Sequence, residues 1–275
     1  MDFLVIGNIT KDVQPDGFTL GGTATYAALT AQRMGRRAAI LTRAEAFVAE
    51  NGLYTGIDMA VLPSTRTTTF QNIYPDGHRI QYVSDVAAPI TAADVPLQWR
   101  QAPIVLLGPI AQEVDRSVAD LFTDSLVGVV PQGWLRQWDA TGRVRAKCWD
   151  DPEPILRRAR VLILSEEDLG GDCSPLDEYV QLTEIVVLTA AARGCTVYWR
   201  GQAYPIPPRP AHEVDPTGAG DVFTAAFLIR LQETGDPLAS ARFANVVASF
   251  SVEARGVAGI PRRATVEAWL AESSE

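Results

Sequence analysis

A glycine-rich turn followed by an aspartate is the feature of this sequence best suited to chemistry. Gly218, Ala219 and Gly220 precede Asp221, and an amphipathic run continues to Gly235. This order predicts a helix that begins at the glycines. Small residues let a ligand approach the backbone, and the unpaired N–H groups and dipole of a helix start favour an anion. Asp221 could there accept a proton from a hydroxyl that attacks a phosphoryl group.

Asp221 also has an ordinary structural alternative. Aspartate is common in the first turn of a helix, where it caps the chain or complements the positive end of the dipole. The motif GAGD alone does not separate this role from catalysis, because short motifs often mislead. A second signature favours the catalytic role. Gly21 and Gly22 form a glycine pair nearly two hundred residues earlier, in TLGGTATYAALTAQRMG.

The two segments together resemble the signatures of the ribokinase-like (PfkB) carbohydrate kinases. DPTGAGD is similar to the C-terminal signature of that family, and the glycine pair falls where the N-terminal one lies. The resemblance covers almost the whole chain. It implies an α/β, three-layer fold with a mainly parallel central sheet flanked by helices, plus a small β-sheet lid. It also implies a phosphotransferase that uses ATP and magnesium to phosphorylate a small polyol or sugar.

The resemblance implies a role for each residue that matches the family pattern. Asp221 is expected to be the catalytic base, and Asp12, in GNITKD, to bind substrate hydroxyls, since a carboxylate accepts hydrogen bonds from neighbouring hydroxyls. The other expected roles are a phosphate anion hole at Gly218, Ala219 and Gly220; substrate binding by Gly22, Tyr26, Gln132 and Arg136; nucleotide binding by Ser165, Thr189, Gly194 and Asn245; water-mediated magnesium contact at Asp168; and a monovalent-cation (potassium) site at Asp215 and Thr217.

Several positions depart from the family pattern. Tyr26 stands where an asparagine is frequent, and Ser165 and Asp168 stand where the family has Asn-x-x-Glu. Asp168 keeps a carboxylate, one methylene shorter. Ala191 replaces a glycine of the nucleotide turn, which a negative φ would tolerate.

Four of the assigned residues have structural alternatives that the sequence leaves open. Tyr26 could pack its helix on the sheet, and Asn245 could be satisfied within helix packing. Arg136 could pair with Asp139 on a helix surface. Asp215 could form a plain turn with the proline that follows it.

The elements that position these residues follow from the hydrophobic pattern. Short apolar runs that alternate with helical segments predict an α/β fold with a mainly parallel sheet. The runs are Phe3–Gly7, Ala38–Leu41, Ile104–Leu107, Val127–Val130, Val161–Leu164 and Ile185–Thr189. Period-two patterns at Lys11–Leu20 and Thr65–Asp85, the latter with a turn at Pro75-Asp76-Gly77, predict the lid. The prolines at 205, 207, 208 and 210 predict an extended connection toward Asp215.

Composition restricts the class of protein. A chain of 275 residues with 47% hydrophobic and 21% charged residues predicts one domain over residues 1–275. A net charge of −9 argues against a nucleic-acid partner. Three dispersed cysteines, Cys148, Cys173 and Cys195, and no signal or membrane segment at the start favour a cytoplasmic protein. Exposed lid edges leave a monomer and a homodimer through the lid both open.

The identity of the acceptor is the least determined property. GNITKDV, Tyr26, Gln132 with Arg136, and VDPTGAGD together resemble the inositol-kinase-like branch, which implies a cyclic polyol such as myo-inositol. A furanose sugar or nucleoside is the enzymatic alternative, with Tyr26, Phe70 or Tyr74 stacking on a base. The alternative of a different class is a ligand-binding or regulatory protein with weakened catalysis, given Ser165, Asp168 and Ala191.

Overall fold

The computed structural model of the chain describes residues 1–73, 75, 80–170, 172 and 174–273. The strands of this part are β1 (Phe3–Ile6), β2 (Thr10–Gln14), β3 (Gly17–Gly21), β4 (Ala38–Ala44), β5 (Asp58–Pro63), β6 (Thr69–Ile73), β7 (Ile80–Asp85), β8 (Ile104–Leu107), β9 (Leu126–Val129), β10 (Arg136–Trp138), β11 (Val144–Ala146), β12 (Val161–Ser165), β13 (Ile185–Thr189), β14 (Cys195–Trp199) and β15 (Gln202–Ile206). The α-helices are α1 (Gly22–Arg33), α2 (Glu153–Leu156), α3 (Leu176–Leu182), α4 (Ala219–Thr234), α5 (Pro237–Ser251) and α6 (Arg263–Glu272).

Nine strands form the central sheet, in the order β15-β14-β13-β12-β9-β8-β1-β4-β5. The pairs from β13 through β5 are parallel, and β14 and β15 add an antiparallel edge. The apolar runs predicted from the sequence lie in β1, β4, β8, β9, β12 and β13. The predicted α/β fold with a mainly parallel sheet is therefore confirmed.

Two hydrophobic clusters cover the two faces of this sheet. One contains α1, α4 and α5 together with inward side chains such as Val5 and Ile163. The other joins the alternate side chains, such as Leu4 and Leu162, to α2, α3 and short 3₁₀ turns. This alternation along buried parallel strands gives the three layers that were expected. Within the described ranges, no helix is both long and apolar enough to cross a membrane.

A second sheet, the lid, consists of β3-β2-β6-β7 in that order. It lies in the two segments predicted for it, although Asp76 and Gly77 of the predicted turn are outside the described residues, as are Tyr74 and Cys173. The β2–β3 and β6–β7 pairs are antiparallel, and β2 pairs with β6 in parallel. Because Gly21 ends β3 and Gly22 begins α1, the lid leads directly into the first core helix.

Two local structures differ from the sequence prediction. The segment after Gln132 contains the β10–β11 hairpin, in which Arg136 pairs with Ala146, so the alternative of a helix-surface pair with Asp139 is wrong. Asp139 instead lies 3.5 Å from Arg145. Pro205 is part of β15, and the extended connection starts only after Ile206. A proline is tolerated there because β15 is an edge strand.

Candidate active site

The glycine turn at the start of α4 has the backbone geometry that an anion site needs. Gly218 precedes the helix with φ +77°, a left-handed conformation that favours glycine. A Cβ on Gly218 would also lie 2.3 Å from the ring of Tyr26. The amides of Gly220 and Asp221 belong to the first turn, whose N–H groups have no carbonyl partner within the helix. This turn can therefore hold an anion close to the backbone.

Tyr26 supports this turn from below. It is 6% exposed on α1, and its ring packs under Gly218. Burial raises the pKa of Tyr26, and the charges of Asp215, Asp12 and Asp221 raise it further. Tyr26 is therefore a buried packing residue, which was the structural alternative that the sequence left open. Direct contact of Tyr26 with a substrate stays a prediction.

Asp221 is half-buried in the first turn of α4. Burial raises the pKa of Asp221 to about 6, and the charge of Asp168 adds to this, whereas Thr23 and Arg136 lower it. The hydroxyl of Thr23 is fully buried and has no hydrogen bond of good geometry among the described residues. A carboxyl with a pKa near 6 is suited to general-base catalysis near neutral pH.

Asp12 lies in the lid strand β2. Burial raises its pKa to about 6 as well, against the lowering effect of Thr10 and Arg136. A Cβ on Gly21 would lie 2.2 Å from the Asp12 carboxylate, so a larger residue there would displace that carboxylate. Gly22 has φ +83°, and its Cβ would lie 2.7 Å from the Asn8 carbonyl oxygen. These residues thus form the junction between lid and core.

Arg136 connects the two carboxylates electrostatically, since its charge acts on the pKa of both Asp12 and Asp221. Its guanidinium lies 5.7 Å from the centre of the Phe70 ring, and its Nη1 donates to the Ile110 carbonyl at 3.4 Å. Two desolvated carboxylates thus lie within electrostatic range of one guanidinium. Perturbed carboxylates in such a position are typical of functional sites.

Asp168 is already engaged by neighbouring protein groups. One carboxylate oxygen accepts from the Ser165 amide at 2.9 Å and from its hydroxyl at 2.8 Å, and the other accepts from Gln132 at 3.4 Å. The described residues contain no group of three His, Cys, Asp or Glu side chains arranged for a metal ion. Water-mediated magnesium contact at Asp168 stays a prediction.

The loop that contains Asp215 is anchored to the end of α5. The Asp215 carboxylate accepts from the Thr217 amide at 3.0 Å and from the Gly256 amide at 2.8 Å. Burial raises the pKa of Asp215, but these hydrogen bonds outweigh it and hold the value below the ordinary range. The amides of Val214 and Asp215 both donate to the Val252 carbonyl. Asp215, Thr217 and the chain at 251–256 thus come together, while cation binding there stays a prediction.

Three predicted nucleotide-binding residues form a separate group. Asn245 is 7% exposed and donates to the carbonyls of Ile206 at 3.2 Å and Pro207 at 3.0 Å. Gly194 has φ +88°, and its Cβ would lie 2.3 Å from the same Ile206 oxygen. Thr189 donates to the Leu164 carbonyl at 3.4 Å. Each polar side chain of this group therefore already has a protein partner.

Ala191 is expected from the sequence to replace glycine without strain if its φ is negative, and the structure does not meet this condition. Its φ is +49°, in the left-handed region, so the methyl group is present at a strained position. Ala190 donates to the Gly194 carbonyl at 2.8 Å, which closes this turn.

Glu113 is a site residue that sequence reasoning missed. It is 1% exposed, and its carboxylate accepts from the amides of Asn8, Ile110 and Ala111 at 2.7–3.0 Å. Burial raises the pKa of Glu113, against the lowering effect of these hydrogen bonds. The carboxylate holds together the chain that leaves β1 and the chain that leaves β8. A glutamate in the loop PIAQEVD carries no motif, so only its partners in the fold reveal it.

A cavity of about 190 Å³ opens beside these residues, between the lid strand β7 and the β10–β11 hairpin. Gln132, Arg136, Glu167 and Asp168 line it together with side chains of the hairpin. Two of the predicted substrate-binding residues therefore lie in one cavity wall, next to the Ser165–Asp168 turn.

Comparisons with known proteins agree with this fold. The pfkB family carbohydrate kinase profile matches residues 161–263. The ribokinase of Bacillus subtilis is 50% identical over 66 residues, 24% of this chain and 22% of that protein. The inositol 3-kinase of Zea mays is 26% identical over 252 residues, 82% of this chain and 65% of that protein. The matched regions thus span less than two thirds of either relative.

Among solved structures, a pyrophosphate-dependent kinase in the ribokinase family, complexed with a pyrophosphate analog and myo-inositol, superposes with a TM-score of 0.80. It is 22% identical, and the match covers 97% of this chain and 99% of that one. The central sheet, the helical layers and the β lid are thus those of the ribokinase-like fold. Residues 161–263 thus match the pfkB carbohydrate kinase family, and the whole chain has the fold of the ribokinase-like kinases.

Proposed function

We propose that the protein is a phosphotransferase that phosphorylates a hydroxyl of a small polyol or sugar. One observation carries this proposal: Asp221 has a pKa raised to about 6 and lies in the first turn of α4, beside the glycine turn that favours an anion. A base and an anion site at one point are what phosphoryl transfer to a hydroxyl needs.

In this mechanism Asp221 accepts the proton of the attacking hydroxyl. The first-turn amides of α4 stabilise the charge that develops on the transferring phosphoryl group, in a place where the helix dipole adds to their effect. Asp12 orients the acceptor by accepting hydrogen bonds from its hydroxyls, and Arg136 keeps both carboxylates ionised. Closure of the lid over Asp12 excludes water that would otherwise compete with the acceptor.

The acceptor we favour is a cyclic polyol such as myo-inositol. The similarity to an inositol 3-kinase over most of the chain and to the complex with myo-inositol supports this choice. A furanose sugar or a nucleoside is the second candidate. Tyr26 lies beneath Gly218, which leaves Phe70 as the described aromatic residue next to Arg136 for stacking.

The donor we favour is ATP, with the loop around Asp215 as the place for a potassium ion. Pyrophosphate is a second candidate, and two observations favour it. The polar side chains expected to bind the nucleotide are bonded to the protein, and the superposed kinase is pyrophosphate-dependent.

The test is a matrix of donors and acceptors with the purified protein and magnesium. ATP and pyrophosphate are each combined with myo-inositol, fructose, ribose and adenosine, and phosphorylated product is measured by phosphorus NMR. We expect product with a polyol or sugar and at least one donor, stimulated by potassium if the Asp215 loop binds it. No acceptor-dependent product in any combination would refute the kinase proposal and favour the ligand-binding alternative.

A further inference from the structure

The cavity between β7 and the β10–β11 hairpin has a basic side that the proposed reaction does not use. Arg143 and Arg145 of the hairpin line it, together with Arg136. The segment 136–147 contains four cationic side chains and one acidic one, a net charge of +3, in a chain whose net charge is −9. This segment is thus a local reversal of the charge of the protein.

Two of these cationic groups, Arg143 and Arg145, are exposed. Arg145 approaches Asp139 only to 3.5 Å, and its side chain is 59% exposed. Among the described residues, Arg143 has no carboxylate within ion-pair distance. Exposed ion pairs are weak, so an anion with several oxygens competes easily for these groups.

The opposite wall carries two acidic side chains, which separate the cavity into an acidic and a basic side. Glu167 and Asp168 line it, and both oxygens of Asp168 accept hydrogen bonds, from Ser165 and from Gln132. The cavity therefore presents its exposed guanidinium groups on the hairpin side, where an anionic group would be held.

The cavity is next to the proposed transfer site. Arg136 and Asp168 line the cavity, and the charges of both act on Asp221. Gly133, adjacent to Gln132, packs so closely on the chain after β8 that a Cβ would lie 2.5 Å from the Pro109 carbonyl carbon. The floor of the cavity is thus fixed to the same loop that Glu113 organises.

The hairpin is attached to the lid. The Val83 amide donates to the Gly142 carbonyl at 2.8 Å, and Tyr82 forms a bridge with Arg143. Gly142 has φ +80°, and a Cβ there would lie 2.2 Å from the Val83 oxygen. Because β7 and the hairpin are joined in this way, Arg143 and Arg145 would move together with the lid.

We propose that Arg143 and Arg145 form a subsite for a phosphate group other than the one transferred. The cavity position, the charge reversal and the exposed guanidinium groups carry this inference. It rests on the proposed function only for the source of that phosphate, which is either the part of the donor that remains after transfer or a phosphate already on the acceptor. Guanidinium groups bind both through the same charge-assisted hydrogen bonds.

The test is a binding measurement without turnover. Isothermal titration calorimetry with pyrophosphate and, separately, with glucose 6-phosphate compares the unchanged protein with the double variant Arg143→Gln/Arg145→Gln. The matched control is Arg157→Gln/Arg158→Gln, which removes two exposed arginines that pair with Glu153 and Asp120 away from the cavity. The single variant Arg145→Gln serves if the double variant loses thermal stability.

We expect the hairpin variant to lose at least about tenfold in affinity for one of the two probes, and the control less than about twofold. Loss for pyrophosphate assigns the subsite to the donor, and loss for glucose 6-phosphate assigns it to a phosphorylated acceptor. Equal affinities in variant and control, or no binding of either probe, would overturn the subsite. Because no turnover is needed, a failure of the kinase proposal would leave this result readable.

Discussion

The proposed transfer side and the proposed nucleotide side of the site differ in the environment of their polar groups. On the transfer side, Asp12 and Asp221 are desolvated carboxylates whose pKa values are raised to about 6. On the nucleotide side, Asn245 and Thr189 donate to main-chain carbonyls. Burial of the two carboxylates on the proposed transfer side thus costs free energy. The polar side chains on the proposed nucleotide side instead satisfy main-chain carbonyls.

This difference shows that motif residues of one family can carry separate duties. A carboxylate that is desolvated and only partly compensated gains basicity, which catalysis can use. An amide that donates to two main-chain carbonyls contributes to stability instead. The transfer-side residues should therefore control turnover, and the nucleotide-side residues should mainly control folding. Three substitutions test this contrast.

Asp221→Asn should have the largest effect. We expect turnover to fall by about 10²–10⁴, because the amide cannot accept the proton of the acceptor, while donor binding stays nearly unchanged.

The stability of the Asp221→Asn variant should rise. Between the ordinary pKa of 3.8 and the folded value of about 6, the folded protein binds the proton more tightly, so the free energy of unfolding falls as pH increases. Removing the carboxylate should then add on the order of 1 kcal/mol at pH 7, since the residue is partly exposed.

Steady-state kinetics and thermal unfolding at pH 5 and pH 7 measure both effects. Asp177→Asn, in the exposed first turn of α3, is the control and should change neither. Turnover that survives Asp221→Asn would assign Asp221 to helix capping and would remove the contrast between the two sides.

Arg136→Gln should have the second largest effect. Its positive charge lowers the pKa of both Asp12 and Asp221, so its loss should raise both values above about 6. Because the base acts when ionised, the acid limb of the kcat/KM profile should move to higher pH. Activity at pH 6 should therefore fall more than activity at pH 8.

A pH–rate profile from pH 5 to pH 9 measures this shift. Arg116→Gln, an exposed arginine that pairs with Asp151, is the control and should leave the limb in place. An unchanged acid limb in Arg136→Gln would show that Arg136 does not tune the carboxylates.

Asn245→Ala should have the smallest effect on catalysis. It leaves the carbonyls of Ile206 and Pro207 without their donor, so the free energy of unfolding should fall by about 1–2 kcal/mol. Affinity of the folded protein for ATP should change by less than about threefold. Chemical denaturation and ATP titration measure the two quantities.

Ser249→Ala, which removes a bond to the Val246 carbonyl of its own helix, is the control. A loss of ATP affinity at unchanged stability would assign Asn245 to the nucleotide.

Sequence patterns predicted the architecture well. The apolar runs at β1, β4, β8, β9, β12 and β13 and the two lid segments are confirmed, because period and length of a buried strand are local properties. The β10–β11 hairpin was missed since VVPQGWLRQWD contains no alternating apolar run, and β15 was missed because Pro205 argued against a strand. Both lie at edges, where tertiary context decides.

For the site, the sequence by itself determined which side chains could do chemistry. The glycine turn, Asp221 and the Gly21-Gly22 pair are local signatures, since a left-handed φ and a close backbone approach require particular residues. Only the tertiary structure decided how the other groups are used. It placed Tyr26 under Gly218, bonded Asn245 to two carbonyls and joined the arginine hairpin to the lid. The physical reason is that desolvation and hydrogen-bond partners come from residues distant in sequence, so a local signature does not specify them: burial raises the pKa of Asp221, whereas Asn245 is bonded to two main-chain carbonyls.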